Sequence, residues 1–172
     1  MDNAFMGSLY LIWLVAGFVD FAIHRRTDLP HTSGLRESML HGAQLVLVGS
    51  AVLAWLAFAN NFTLGSFLLL ATITHASLAY WDTRSADGIR RISPAEQHIH
   101  SVLDLMPWIF TAWVIAGADS ETRIEYSPSP LSTWFFAVGL AVPLTLLPWI
   151  AEFLGAMQAR KNARVSERPV VK

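Results

Sequence analysis

Five apolar segments of about 20 residues each dominate this sequence of 172 residues. The hydrocarbon core of a bilayer is ~30 Å thick, and a helix needs about 20 residues to cross it. Backbone polar groups find no water there, so helix is the expected conformation of each segment. The sequence therefore predicts an all-α bundle of about five transmembrane helices, at 4–23, 40–60, 62–81, 100–118 and 133–155.

The composition agrees with a lipid environment and limits the chemistry. The chain is 53% hydrophobic and only 15% charged, whereas soluble domains carry about 25% charged residues. Its net charge of −1 gives no general basic surface for nucleic acid. The absence of cysteine excludes disulfides, thiolate metal sites and iron–sulfur clusters. Any metal must therefore be bound by histidine nitrogen and by carboxylate or carbonyl oxygen.

The connections between the segments predict an orientation. Arginine and lysine concentrate in the connections at 24–39 and 82–97 and after residue 155, while the connection at 119–132 holds only Arg123. The positive-inside rule then places the N-terminus outside and the C-terminus in the cytoplasm. We expect a multi-pass protein of a bacterial-type inner membrane, with one domain at 1–158 and a polar, basic tail at 159–172.

Histidines and acidic residues recur at helical spacing near the predicted cytoplasmic ends of four segments. Asp20 precedes His24 by four residues, Glu37 precedes His41 by four, and Glu96, His100 and Asp104 follow one another at intervals of four. Residues four apart are neighbours on one helix face. The sequence thus predicts a metal site at the cytoplasmic face. The predicted ligands are His24, His41, His75, His100, Asp20, Glu37, Asp82, Glu96 and Asp104, and the predicted surrounding residues are His98, Gln44, Glu152, Arg36 and Arg91.

The energetics of membrane insertion favour a function for these acids. A charged carboxylate within a transmembrane helix costs ~2.5–3.5 kcal/mol, and Asp20 and Asp104 interrupt the apolar runs FVDFAI and VLDLMPW. A bound cation or a paired histidine would offset this cost. The number of ligands exceeds what one tetrahedral ion needs, so we expect two metal ions. Oxygen and nitrogen ligands favour iron, with zinc or manganese as alternatives.

Several of these residues have simpler interpretations. Ser93-Pro94-Ala95-Glu96 matches a helix capping box with proline at the first helical position. Glu37 can be an ordinary interfacial charge, and Asp82 can pair with Arg84. The main alternative to a metal site is a hydrogen-bonded network of histidines and carboxylates that relays protons.

The gathering of histidines and acids at the cytoplasmic ends of membrane helices resembles integral-membrane di-iron hydroxylases and desaturases. The resemblance implies a di-iron oxidoreductase that acts on a lipid-like substrate at the cytoplasmic face and takes electrons from a donor. Those families carry His-x-x-x-His and His-x-x-His-His boxes. This chain has neither, and its nearest pair is His98-Ile99-His100.

Two other functions stay open at the level of sequence. Zinc-dependent membrane hydrolases similar to alkaline ceramidases also place histidine and aspartate at helix ends, although they have seven helices and a His-x-x-x-His motif. Alternatively, the chain is a non-catalytic subunit of a larger membrane complex that relays protons or handles metal. The expected partners are the bilayer, a lipid-like small molecule, and an electron donor or larger complex.

Overall fold

The computed structural model describes residues 3–166, and these residues form helices with no β-strand. Five helical stretches are long and apolar enough to cross a membrane. This confirms the predicted all-α bundle and the number of spans. The six α-helices are α1 (Asn3–Arg26), α2 (Gly34–Ala57), α3 (Phe62–Ala86), α4 (Pro94–Ala116), α5 (Leu131–Ala141) and α6 (Leu147–Ser166).

The helices extend beyond the apolar segments, mainly at one end of the bundle. There α1 ends at Arg26, α2 begins at Gly34, α3 ends at Ala86 and α4 begins at Pro94. The sequence predicted these boundaries three to six residues closer to the centre of the bundle, because an apolar pattern reports hydrocarbon thickness and not helix length. The extra turns are helical and carry Glu37 and Glu96, so these acids belong to the bundle. We call this end the polar end.

The fifth span is not a regular helix. A π-helical segment, Val142–Leu146, joins α5 to α6 and contains Pro143. Proline cannot donate a backbone hydrogen bond, and a π-segment accommodates the missing bond. The irregularity at this proline therefore takes the form of a wide helical turn. Helix α6 continues through the first part of the predicted tail, and residues 167–172 of that tail lie outside the described residues.

The end opposite the polar end is closed by a short hairpin and by aromatic packing. Asn61 caps α3, because its side-chain oxygen accepts a hydrogen bond from Leu64 N at 3.1 Å, and its amide donates to Arg123 O at 2.9 Å. Trp55 packs against two buried apolar clusters nearby. These clusters consist of Val52, Leu56 and Ala137, and of Leu64, Leu68 and Val114.

The spans form a ring in the order α1, α4, α3, α2 and the α5–α6 pair, which returns to α1. Each span therefore packs chiefly against two neighbours. Helices α2 and α6 approach closely at Gly42, where an added Cβ would lie 2.5 Å from Trp149 Cζ2. The Trp149 indole also donates a hydrogen bond to Ser38 O at 2.9 Å. This contact closes the ring between α2 and α6 near the polar end.

We expect Gly42→Ala to lower the melting temperature of the purified protein, because overpacking a tight contact costs about 1–3 kcal/mol. Gly139→Ala is the matched control, since no atom lies within 4 Å of a Cβ at that position. The measurement is thermal unfolding in one detergent. Equal melting temperatures for both variants would show that the packing of α2 against α6 does not limit the stability of the protein at this contact.

Candidate metal centre

Helical spacing brings acidic and histidine side chains from all five spans into one buried cluster at the polar end. In α1, α2 and α4 an acid and the histidine four residues later share the face that points into the ring. His24 and Glu37 are 1% exposed and Glu96 is 0% exposed. The polar cluster, as we use the term, consists of Asp20, His24, Glu37, His41, Asp82, Arg90, Glu96, His100 and Glu152.

His24 lies at the centre of the polar cluster. Its Nδ1–H donates a hydrogen bond to Glu152 Oε2 at 2.9 Å. Its Nε2 lies 3.5 Å from Glu96 Oε1, 3.6 Å from Asp20 Oδ2 and 3.8 Å from Glu37 Oε1. Two donors that bind one ion at ~2.0–2.2 Å each lie within about 4.4 Å of one another. These three distances are short enough for a shared cation, and the guanidinium of Arg90 already contacts two of the three oxygens, Glu37 Oε1 and Glu96 Oε1.

His41 stacks on His24, with ring centroids 4.8 Å apart. Glu152 Oε1 lies 2.8 Å from His41 Nδ1, and Asp82 Oδ2 lies 3.1 Å from His41 Nε2. A neutral imidazole has only one N–H. An acceptor at each ring nitrogen therefore requires an additional proton or a cation beside His41.

His100 completes the arrangement from α4. Its Nε2 lies 3.1 Å from Asp20 Oδ1. The donor atoms fall into two groups within which every pair lies inside 4.8 Å. One group consists of Asp20, His24, Glu96 and His100, and the other consists of His24, Glu37 and His41. These buried groups can hold metal ions.

Arg90 is a member of the polar cluster that the sequence did not single out. Its Nη2 lies 2.5 Å from Glu37 Oε1, 2.6 Å from Glu96 Oε1 and 3.4 Å from His24 Nε2. Burial lowers the pKa of this guanidinium, but the hydrogen bonds to the two carboxylates raise the pKa above its ordinary value. Arg90 thus stays charged. Its exposed neighbour Arg91 carries the same charge, so no sequence pattern separates the two.

The negative charge of the polar cluster exceeds its fixed positive charge. Five buried carboxylates belong to it, from Asp20, Glu37, Asp82, Glu96 and Glu152. Arg90 is its only permanently charged cation among residues 3–166. One buried oxygen, Asp82 Oδ1, accepts no hydrogen bond from the described residues, and Glu96 Oε1 has its closest charged partner in Arg90. Unpaired charge in a dry interior is costly, so protons or metal ions must balance the remainder.

The sequence predicted the local role of Glu96 but not the position of Glu152 between two histidines. The capping box is confirmed, because Ser93 and Glu96 exchange hydrogen bonds at the start of α4. Glu96 nevertheless also contacts Arg90 and His24. The sequence made Glu152 only a surrounding residue, yet it joins two histidines. The signal for Glu152 was an acid within the apolar run PWIAEFLG, as for Asp20.

Other residues of the predicted site lie outside the two donor groups. His75 is buried, 5% exposed, and makes no hydrogen bond within residues 3–166. Asp104 is exposed, and His98 is exposed with its Nδ1–H donating to Pro94 O at 2.8 Å. Arg36 is exposed like Arg91, and Gln44 is half-buried. The roles of these residues as ligands or surrounding residues stay predictions.

A cavity of about 310 Å³ lies inside the ring and begins at the polar cluster. Its polar end is lined by Asp20, His41, Asp82, His100 and Asp104, and His75 lies on its wall. The remainder of the lining is mainly apolar and comes from all five spans. The polar cluster therefore borders a space that can hold a small apolar molecule.

We expect Arg90→Gln to lower the melting temperature strongly in metal-free protein, because removing one partner of a buried ion pair costs ~3–5 kcal/mol. The exposed Arg91→Gln is the matched control. If a cation can replace the guanidinium charge, added divalent metal will stabilise Arg90→Gln more than the wild type. Equal stability of the two variants in metal-free protein would contradict the structural role of Arg90.

Comparisons of the chain with protein-family models, with curated proteins and with solved structures find no match. No relative supplies a substrate, a metal or a reaction. The function is therefore inferred from the side chains of the polar cluster and from the cavity beside it.

Proposed function

We propose that this chain is an integral membrane metalloprotein whose polar cluster binds two metal ions. The charge excess carries the proposal. With neutral imidazoles, five buried carboxylates and one arginine leave four negative charges. Two divalent cations would balance this charge. Without them, the same burial would require several extra protons.

The hydrogen bonds of Glu152 support the same conclusion. Metal-binding histidines usually donate their second ring N–H to a carboxylate, which fixes the orientation of the ring. His24 and His41 both have Nδ1 against Glu152, at 2.9 and 2.8 Å. Their Nε2 atoms then face the remaining carboxylates, Asp20, Glu37 and Glu96 for His24 and Asp82 for His41. We assign Glu152 the role of orienting the two ligands.

Iron is the metal we favour, with zinc or manganese as alternatives, because all donors are nitrogen or oxygen and carboxylates outnumber histidines. Bound iron would supply oxidation of a C–H or C=C bond in a lipid-like substrate. Hydroxylation converts C–H, dioxygen, two electrons and two protons into C–OH and water, so it also needs an electron donor. The cavity supports this choice, since an apolar molecule bound in it would lie beside the polar cluster.

A proton relay is the second candidate function, and one observation favours it. Asp82, His41, Glu152 and His24 form a continuous chain with successive distances of 3.1, 2.8 and 2.9 Å. Histidine and carboxylate chains in membrane helices transfer protons in pumps and transporters. In this function the excess negative charge would be balanced by protons on the histidines and not by metal.

Protein purified without added metal should contain close to two metal ions per chain, and His24→Ala or His41→Ala should lose them. His98→Ala is the matched control, because His98 is exposed and its one hydrogen bond within residues 3–166 is to the backbone of its own helix. Elemental analysis by mass spectrometry measures the content. Folded wild-type protein without metal would contradict the metal site and favour the relay, and zinc in place of iron would favour hydrolysis.

The variant His75→Ala tests whether His75 is a metal ligand, as the sequence predicts, although it lies outside the two donor groups. His75 precedes Asp82 by seven residues on α3, which is about 10 Å at ~1.5 Å per residue, and it belongs to neither donor group. We expect the variant to retain its metal. Loss of one metal ion per chain, with an unchanged melting temperature, would instead make His75 a ligand.

Acidification should release the bound metal. Histidine and carboxylate ligands must be deprotonated to bind, so metal affinity decreases as pH falls. The measurement is the metal content after dialysis at a series of pH values against one weak chelator. A metal content that stays constant down to pH values well below the ordinary pKa of histidine would contradict histidine ligation.

A further inference from the structure

The cavity inside the ring has a defined length and a closed end. On α2 its lining runs from His41 to Leu53, twelve residues apart, or about 18 Å at ~1.5 Å per residue. The far end is closed by buried Val52 and Ala137 and by Tyr10, whose hydroxyl donates to Ala137 O at 2.9 Å. The cavity is thus an elongated space, polar only near the polar cluster.

The ring is open to the side along this cavity. Near the polar end Trp149 fills the space at Gly42, but seven residues further along α2 no atom lies within 4 Å of a Cβ at Gly49. Leu53, Val138 and Leu146 line the cavity and are 46%, 37% and 40% exposed. The open space at Gly49 and the exposure of Leu53 on α2 and Val138 on α5 indicate a gap between these two helices. We call this gap the lateral opening.

We propose that the cavity binds one hydrocarbon chain of a single-chain lipid, which enters through the lateral opening and lies with its polar group at the polar cluster. This inference names the substrate class of the proposed function. It rests on that function wherever it concerns the reaction at the polar cluster. The chemistry would then act on carbons near the polar group and not on the terminal methyl group.

Three observations favour this occupant. The volume of about 310 Å³ is at the lower limit of the ~300–1,000 Å³ of ligand sites, which fits one chain better than a two-chain lipid. The lateral opening lies among exposed apolar side chains on spans that can cross a membrane. Buried His75 offers an unfilled hydrogen-bonding group on the cavity wall, as expected of a space occupied by ligand or water.

The test uses the full chain in lipid nanodiscs and a long-chain fatty alcohol with a photoreactive diazirine at its methyl end. We expect labelling of Tyr10, Trp13 and Leu14, which line the far end of the cavity. A diazirine next to the hydroxyl should instead label residues near the polar cluster, such as Phe21 and Gln44. The opposite pattern, or labelling only of exterior residues such as Leu70 and Phe135, would overturn the proposal.

Entry is tested by filling the lateral opening. Gly49→Phe should abolish labelling inside the cavity while exterior labelling persists. Gly139→Phe is the matched control, because Gly139 also has open space around its Cβ but does not line the cavity. If Gly49→Phe fails to fold, Val138→Trp on the facing helix replaces it. Unchanged interior labelling in the folded variant would exclude entry through the lateral opening.

Measuring the metal content of the same samples distinguishes failure of the lipid site from failure of the metal site. Interior labelling without bound metal would support the lipid site and contradict the proposed metalloprotein. Bound metal without interior labelling would overturn the lipid site and leave the metal centre in place.

Discussion

Five carboxylates buried among apolar helices are the constraint on which the rest of this structure depends. Each is nearly inaccessible to solvent, and Arg90 is the one permanent cation beside them within residues 3–166. A low-dielectric interior does not tolerate such an imbalance. The extended helix ends and the loop between α3 and α4 bring Arg90 and the stacked histidines, His24 and His41, next to these acids. These groups can carry the positive charge that the acids need.

The ring arrangement follows from the same constraint. Every span carries at least one member of the polar cluster, so each must turn one face inward at the polar end. A ring of five spans satisfies this requirement but leaves a central space, because no span fills its middle. Apolar side chains close that space at the far end, and the wide turn at Val142–Leu146 lies along one side of it. The cavity is thus a consequence of converging five helices on one polar cluster.

The polar cluster resembles both a metal centre and a proton relay, and the hydrogen bonds explain why. Glu152 joins His24 and His41 through their Nδ1 atoms, a geometry that orients ligands and equally links a chain of proton carriers. The difference lies in the Nε2 atoms. In a metal centre they bind cations together with the surrounding carboxylates, and in a relay they carry protons to them. The excess negative charge is balanced by metal ions in the first function and by protons in the second, so the metal content of the protein distinguishes them.

The sequence alone determined the five helices long and apolar enough to cross a membrane and the acid–histidine pairs, because apolar length and a spacing of four are local properties of a helix. It also indicated the capping box at Ser93 and Glu96. Only the tertiary structure decided that Glu152 bridges two histidines, that Arg90 and not Arg91 enters the polar cluster, and that His75 faces the cavity instead. These depend on how distant helices are placed around the ring, and contacts over more than fifty residues leave no periodic signal in the sequence.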